Sequence, residues 1–213
     1  MKPRILRSDG VLQKLLPHMC VAEWGRADTD IILRDSVLCK EKGLAAISLL
    51  PDAISAARSA ADDIKVYCFI DDIAKIPAIS ERKNTSVQLF FKDNRMENLP
   101  ELPDIEIIPA FALKNIEHLD WTRIVLLERK LGGRGFMFID EAGEYIHRFY
   151  DFLNIIGDSF SGAIHYCGAS NDLNKLDDAY RLVEKIRPDL LSNLCLFVSG
   201  EFFRNLDFRY KSL

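Results

Sequence analysis

ALKNIEHLDWTRIVLLERKL, residues 112–131, decides the fold of this chain. Leu113, Ile116, Ile124, Leu127 and Leu131 fall on one face at helical spacing, whereas WTRIVLLE alone has the density of branched residues expected of a strand. A strand here would be the ninth and would leave two neighbouring strands with almost no connection. The segment is therefore read as helix.

Working outward, eight short runs of β-branched, aromatic and aliphatic residues recur: MCVAEW (19–24), LAAISL (44–49), IKVYCFI (64–70), SVQLFF (86–91), DIEIIP (104–109), GFMFID (135–140), GAIHYC (162–167) and NLCLFVS (193–199). Helix signals lie between most of them. Pro51 opens an alanine-rich segment, Tyr145, Phe149, Phe152 and Ile156 form one stripe, and Leu173, Leu176, Tyr180 and Val183 form another. Most of the strands are too apolar on both faces for a half-solvated sheet. This predicts an α/β chain with a parallel sheet closed into a single (β/α)8 TIM-type barrel domain over residues 1–213, with an open doubly wound sheet as the alternative. Residues 71–85 and 92–103 read as irregular connections.

At 213 residues and 48% hydrophobic, the chain can bury one substantial core. A net charge of -4 argues against a nucleic-acid partner. No apolar run reaches the roughly 18 residues that would cross a bilayer, and MKPRILRSDGVLQKLLPHMC has no cleavable leader pattern. A cytoplasmic protein without membrane attachment is expected, with homo-oligomerisation left open. The five cysteines, Cys20, Cys39, Cys68, Cys167 and Cys195, form no CxxC pair and read as reduced thiols.

In such a barrel, chemistry gathers at the carboxyl ends of the strands. Glu23, Lys92, Asp140 and His165 are the candidate catalytic residues there. Taking Ile164 and Tyr166 as outward turns His165 and Cys167 inward. Taking Met137 and Ile139 as outward turns Phe136, Phe138 and Asp140 inward. An interior that also held Gln88 and Glu106 would be costly without partners or water, which favours a polar pocket at the top. Each candidate has a structural role open to it. Glu23 could pair with Arg26, Asp140 could cap the following helix, Lys92 could be a solvated loop charge, and His165 could be a satisfied hydrogen-bonder.

The loops after the last two strands are CGASND (167–172) and VSGEF (198–202). Barrels often hold phosphate at these places on backbone N–H groups. Gly168, Ala169, Ser170, Ser199 and Gly200 are the predicted phosphate-binding residues, although Asp172 and Glu201 bring negative charge close by, and Asn171 or Asp172 could be a helix cap.

From Asp30 to Asp71 the chain, DIILRDSVLCKEKGLAAISLLPDAISAARSAADDIKVYCFID, resembles the early part of class I aldolases of the deoxyribose-phosphate aldolase type. The shared features are a helix carrying a cysteine and an acidic-Lys pair, a Gly-containing turn, a strand ending in proline, an alanine-rich helix and a VKV-like strand. The likeness covers about forty of the 213 residues. It implies a (β/α)8 barrel. The family's Schiff-base lysine belongs in a Lys-Thr pattern on the sixth strand, but GFMFID has no lysine. SVQLFFKDN also lacks the acidic motif of the fourth strand, so no family catalytic residue carries over. Other barrel enzymes place an imine-forming lysine on the fourth strand, which keeps Lys92 among the candidates.

These readings converge on a lyase or isomerase that acts by acid/base catalysis on a phosphorylated small metabolite, without a cofactor. Two alternatives stand beside it. One is a non-catalytic barrel binding a protein or ligand. The other is a divalent-metal enzyme using Glu23, Asp140 and His165, whose donor types suit zinc or manganese but which lack HxH or HExxH spacing.

Overall fold

The computed structural model describes residues 8–25, 28–44, 46–79, 83–92, 105–118, 121–168 and 172–206. Eight parallel strands close into a barrel in sequence order: β1 (Met19–Glu23), β2 (Ala46–Leu49), β3 (Lys65–Ile70), β4 (Thr85–Phe91), β5 (Ile107–Ala112), β6 (Gly135–Ile139), β7 (Ala163–Cys167) and β8 (Leu194–Ser199). Closure is made by β1 against β8, with Cys20 opposite Phe197 and Ala22 opposite Ser199. The α-helices among the described residues are α1 (Ser8–Leu15), α2 (Thr29–Lys42), α3 (Ile54–Ala60), α4 (Trp121–Lys130), α5 (Ile146–Ile155), α6 (Leu173–Ile186) and α7 (Gly200–Asn205). In the deciding segment Ala112 still belongs to β5, and the described residues after it form a 3-10 turn over Leu113–His118 and then α4. The connection after β3 is likewise a 3-10 turn, Ile73–Ala78. Most of the one after β4 lies outside the described residues.

Two separate apolar clusters follow from the period-two alternation of the strands. The larger lies between the barrel and its helices and contains Ile47, Val66, Phe111, Phe136, Phe138, Ile164 and Tyr166. The smaller fills the barrel interior with Cys20, Tyr67, Ile108, Met137 and Phe197 among others. Ile164 and Tyr166 therefore face outward, as expected, and β7 turns His165 and Cys167 inward.

The expected facing of β6 is reversed. Met137 and Ile139 belong to the interior, while Phe136 and Phe138 pack outward on Phe152 at ring separations of 4.9 and 4.5 Å. Size explains the reversal. The space between β6 and the α4–α5 layer accepts several phenyl rings packed edge-on or tilted, whereas the interior is already filled by Tyr67, Phe197 and His165. Asp140, one residue past Ile139, consequently turns outward.

β5 begins three residues later than the reading of DIEIIP and continues through Pro109 to Ala112. This puts Glu106 just ahead of the strand, at the amino end of the barrel. There it accepts hydrogen bonds from Ser86 Oγ and from Lys65 Nζ, the latter at 3.0 Å. The polar groups at that end thus satisfy one another.

Candidate active site

A cavity of about 1250 Å3 opens at the carboxyl ends of the strands. Its floor is aromatic. Trp24 and Phe69 stack at 4.3 Å with planes 20° apart, and Phe90 stands 5.9 Å from Phe69. Beneath the floor, Trp24 Nε1 donates to Ser48 Oγ (2.8 Å), Ser48 Oγ donates to Gln88 Oε1 (2.6 Å), and Gln88 Nε2 donates to His165 Nδ1 (2.9 Å). Because the Gln88 amide nitrogen can only donate, His165 Nδ1 accepts and the ring proton lies on Nε2. That atom is buried and has no hydrogen-bond partner among the described residues.

One wall carries the site's principal charges. Arg204, on α7, donates from Nη1 to Glu23 Oε1 at 2.5 Å and also to Asp35 Oδ2. Glu23 ends β1 and is nearly buried; Asp35, from α2, is completely buried. Arg34 Nε approaches the other Asp35 oxygen at 3.9 Å, too far for a hydrogen bond. Burial, followed by the neighbouring Glu23 carboxyl, pushes Asp35 up to about 7 against the opposing pull of Arg204. Near neutral pH one arginine thus serves two carboxyl groups, and the buried one exchanges its proton. Gly200 makes room for the arrangement, since a Cβ there would overlap the Glu23 carboxylate and lie 2.8 Å from Arg204 Nη1.

Opposite this wall, Lys92 lines the cavity with its side chain 69% exposed and pairs with Asp71 at 2.9 Å. Lys75 and Lys92 together hold Asp71 down to about 2. Lys114 pairs with Glu141 at 3.2 Å. Such exposed pairs contribute little to stability, so these lysines can exchange a carboxylate for a ligand anion at small cost.

The predicted site residues are distributed as follows. Glu23, Lys92, Gly168, Ser199 and Gly200 line the cavity; Ala169 and Ser170 lie outside the described residues. Ser199 Oγ accepts from Phe202 N and caps α7, while Asp172 caps α6 by accepting from Asn174 N. Neither His165 nor Asp140 lines the cavity. Asp140 accepts from the backbone N–H groups of Glu144 and Tyr145, ahead of α5, and from Tyr166 Oη at 3.0 Å. Glu23, Asp140 and His165 therefore do not converge, and no group of three metal-ligating side chains occurs among the described residues. Cys167 also lines the cavity, but burial pushes its thiol up to about 12, which leaves it protonated and a poor nucleophile.

Sequence reasoning missed Arg204, Asp35 and Trp24. Trp24 carried a local signal, an aromatic residue beside Glu23 at a strand's carboxyl end. Arg204 and Asp35 carried none, because they lie 169 positions apart and meet only when the barrel closes.

No family model and no curated sequence matches the chain. Its fold is similar to several crystal structures. A provisionally assigned deoxyribose-phosphate aldolase from Coccidioides immitis superposes with a TM-score of 0.64 at 12% identity, covering 88% of this chain and 82% of that one. A second provisional assignment to that aldolase, from Toxoplasma gondii, gives 0.60 at 10% identity with 96% of both chains covered. The (S)-3-O-geranylgeranylglyceryl phosphate synthase of Thermoplasma acidophilum, in complex with sn-glycerol-1-phosphate, gives 0.55 at 12% identity, covering 96% of this chain and 93% of that one. At such identities the likeness establishes the fold. Among the described residues, no helix is long and apolar enough to cross a membrane.

Proposed function

We propose that the chain is a cytoplasmic barrel enzyme, a lyase or isomerase, that moves a proton on a phosphorylated small metabolite. The observation that carries this reading is the Glu23 carboxylate at the cavity wall, held by Arg204 with the buried Asp35 carboxyl behind it. Glu23 takes the role of general acid/base, a task that needs one oriented group with a proton source nearby. The phosphate is assigned to the corner of Gly168, Ala169, Ser170, Ser199 and Gly200, with Arg204 as its cation and Lys92 reaching over from the opposite wall. Asp140 and His165 are assigned supporting roles, fixing the start of α5 and the cavity floor. The phosphate-handling enzymes among the structures of similar fold support the substrate class, and five unpaired thiols support a reducing compartment.

Protonation of Asp35 leaves Arg204 facing one carboxylate instead of two, so an anion should bind more tightly below pH 7 than above it. Sulfate is a suitable probe because it stays dianionic throughout this range. Millimolar sulfate is expected to raise the thermal midpoint by a few degrees at pH 6 and by clearly less at pH 8. Gly200→Ala, which crowds Glu23 and Arg204, should remove the effect. Indifference of the wild type to sulfate at both pH values would shift the reading to a non-catalytic binding barrel. In the electrostatic role assigned to it, Lys92 should yield no borohydride-trapped adduct with aldehyde metabolites. A stable adduct lost in Lys92→Arg would instead make it an imine former.

A further inference from the structure

The aromatic floor is larger and more rigid than a small sugar phosphate requires. We infer that Trp24, Phe69 and Phe90 form a preorganised stacking surface for a planar unsaturated ring, carried by a ligand whose phosphate lies on the Arg204 wall. The phosphate half of this statement rests on the function proposed above; the ring half stands on the floor itself.

Three observations support it. The first is exposure. All three rings are only partly buried and belong to the margin of the interior cluster, above its filled layers. Apolar surface left facing water costs about 25 cal/mol per Å2, so rings kept open at a cavity floor are best explained by something that covers them. The second is size, since about 1250 Å3 exceeds the roughly 300–1,000 Å3 of ordinary ligand pockets.

The third observation is the hydrogen-bonded chain Trp24–Ser48–Gln88–His165, in which Ser48, Gln88 and His165 are completely buried. A polar chain inside a barrel adds little net stability compared with apolar side chains of the same shape. Its consequence is geometric. With Nε1 tied to Ser48 and one face against Phe69, the indole plane is fixed before any ligand arrives, which lowers the ordering cost of stacking. Ser48, Gln88 and His165 are positioning residues in this account, and Trp24 is the residue that touches the ligand. Asp52, Asn115 and Lys75 also line the cavity and offer polar partners for ring heteroatoms.

The test uses flavin mononucleotide, riboflavin and octyl phosphate as probes, with equilibrium dialysis and tryptophan emission. The chain has two tryptophans, so Trp121→Phe leaves Trp24 as the sole reporter. Flavin mononucleotide should bind and quench Trp24 emission, and should bind at least tenfold more tightly than octyl phosphate. Trp24→Leu should weaken flavin binding by about tenfold or more, the scale of one lost base–aromatic stack, while leaving the sulfate response intact. Ser48→Ala should weaken it severalfold and lower the emission anisotropy of Trp24, a change that loss of packing elsewhere would not produce. Equal binding of octyl phosphate, or a Trp24→Leu variant with unchanged flavin affinity, would overturn the ring assignment even if sulfate still binds. Riboflavin binding in a protein indifferent to sulfate would instead uphold the ring and refute the phosphate wall.

Discussion

Replacing Gly135 with alanine is expected to destabilise the barrel by roughly 3–5 kcal/mol, the sum of backbone overpacking and a strained dihedral. Gly135 begins β6 directly opposite Ala163 of β7. A Cβ at this position would overlap the Ala163 carbonyl oxygen and lie 2.9 Å from the Ala163 nitrogen, with φ at +153°. These are backbone atoms of the neighbouring strand, so they cannot swing aside as a side chain would. Relief requires parting β6 from β7, and a closed barrel has no free edge along which to relax. For a chain of this size, thermal denaturation should show a midpoint lower by roughly 10 °C, or the protein should fail to accumulate. Gly10→Ala, with nothing within 4 Å of the added carbon, serves as the control and should cost nothing. A Gly135→Ala protein with the wild-type midpoint would contradict the closeness of β6 to β7.

Asp35→Asn is expected to flatten the dependence of stability on pH. In the folded chain Asp35 is pushed up to about 7, chiefly by burial and then by Glu23, whereas an unfolded aspartate titrates near 3.9. Between these values the folded state holds a proton that the unfolded state has lost. The stabilisation from Asp35 is therefore complete below about pH 4 and disappears as pH rises through 7. The shift corresponds to something on the order of 3–4 kcal/mol. Asparagine keeps the shape of the protonated acid and cannot ionise, so the variant should match the wild type near pH 4.5 and exceed it by a few kcal/mol at pH 8. Urea denaturation of both proteins at the two pH values checks this, because every other titrating group is shared. Among the described residues, the groups facing Asp35 are Glu23 from β1, Arg204 from α7, and Arg34 and the Cys39 thiol from its own helix. Parallel stability curves would show that Arg204 keeps Asp35 ionised throughout.

Much of the architecture was legible because it is written in local periodicity. Eight apolar runs at even spacing, with helix stripes between them, specify a parallel sheet with helices outside, and the helical reading of residues 112–131 fixed the count. The facing of β6 was not legible. GFMFI is apolar at every position, so alternation alone cannot say which set turns inward, and the edge-on and tilted packing of Phe136 and Phe138 on Phe152 of α5 decided it. The limits of β5 were obscured for a related reason, since Pro109 reads as a terminator but sits within a strand whose neighbours supply the pairing.

The candidate site divides in the same way. Glu23, Lys92, Gly168, Ser199 and Gly200 could be placed from the sequence because strand ends are recognisable and barrels present them at one mouth. Sequence by itself thus determined the barrel, the end that carries the cavity, and the strand-end residues that line it. Only the tertiary structure decided that Arg204 joins Glu23 to Asp35, that Asp140 turns away, and that Trp24 is tied through Ser48 and Gln88 to His165. The physical reason is range. Periodicity and strand ends are properties of a few consecutive residues, whereas a buried ion pair between α2 and α7, or a hydrogen-bonded chain across four strands, exists only after the sheet has closed and brought residues distant in sequence within 3 Å of one another.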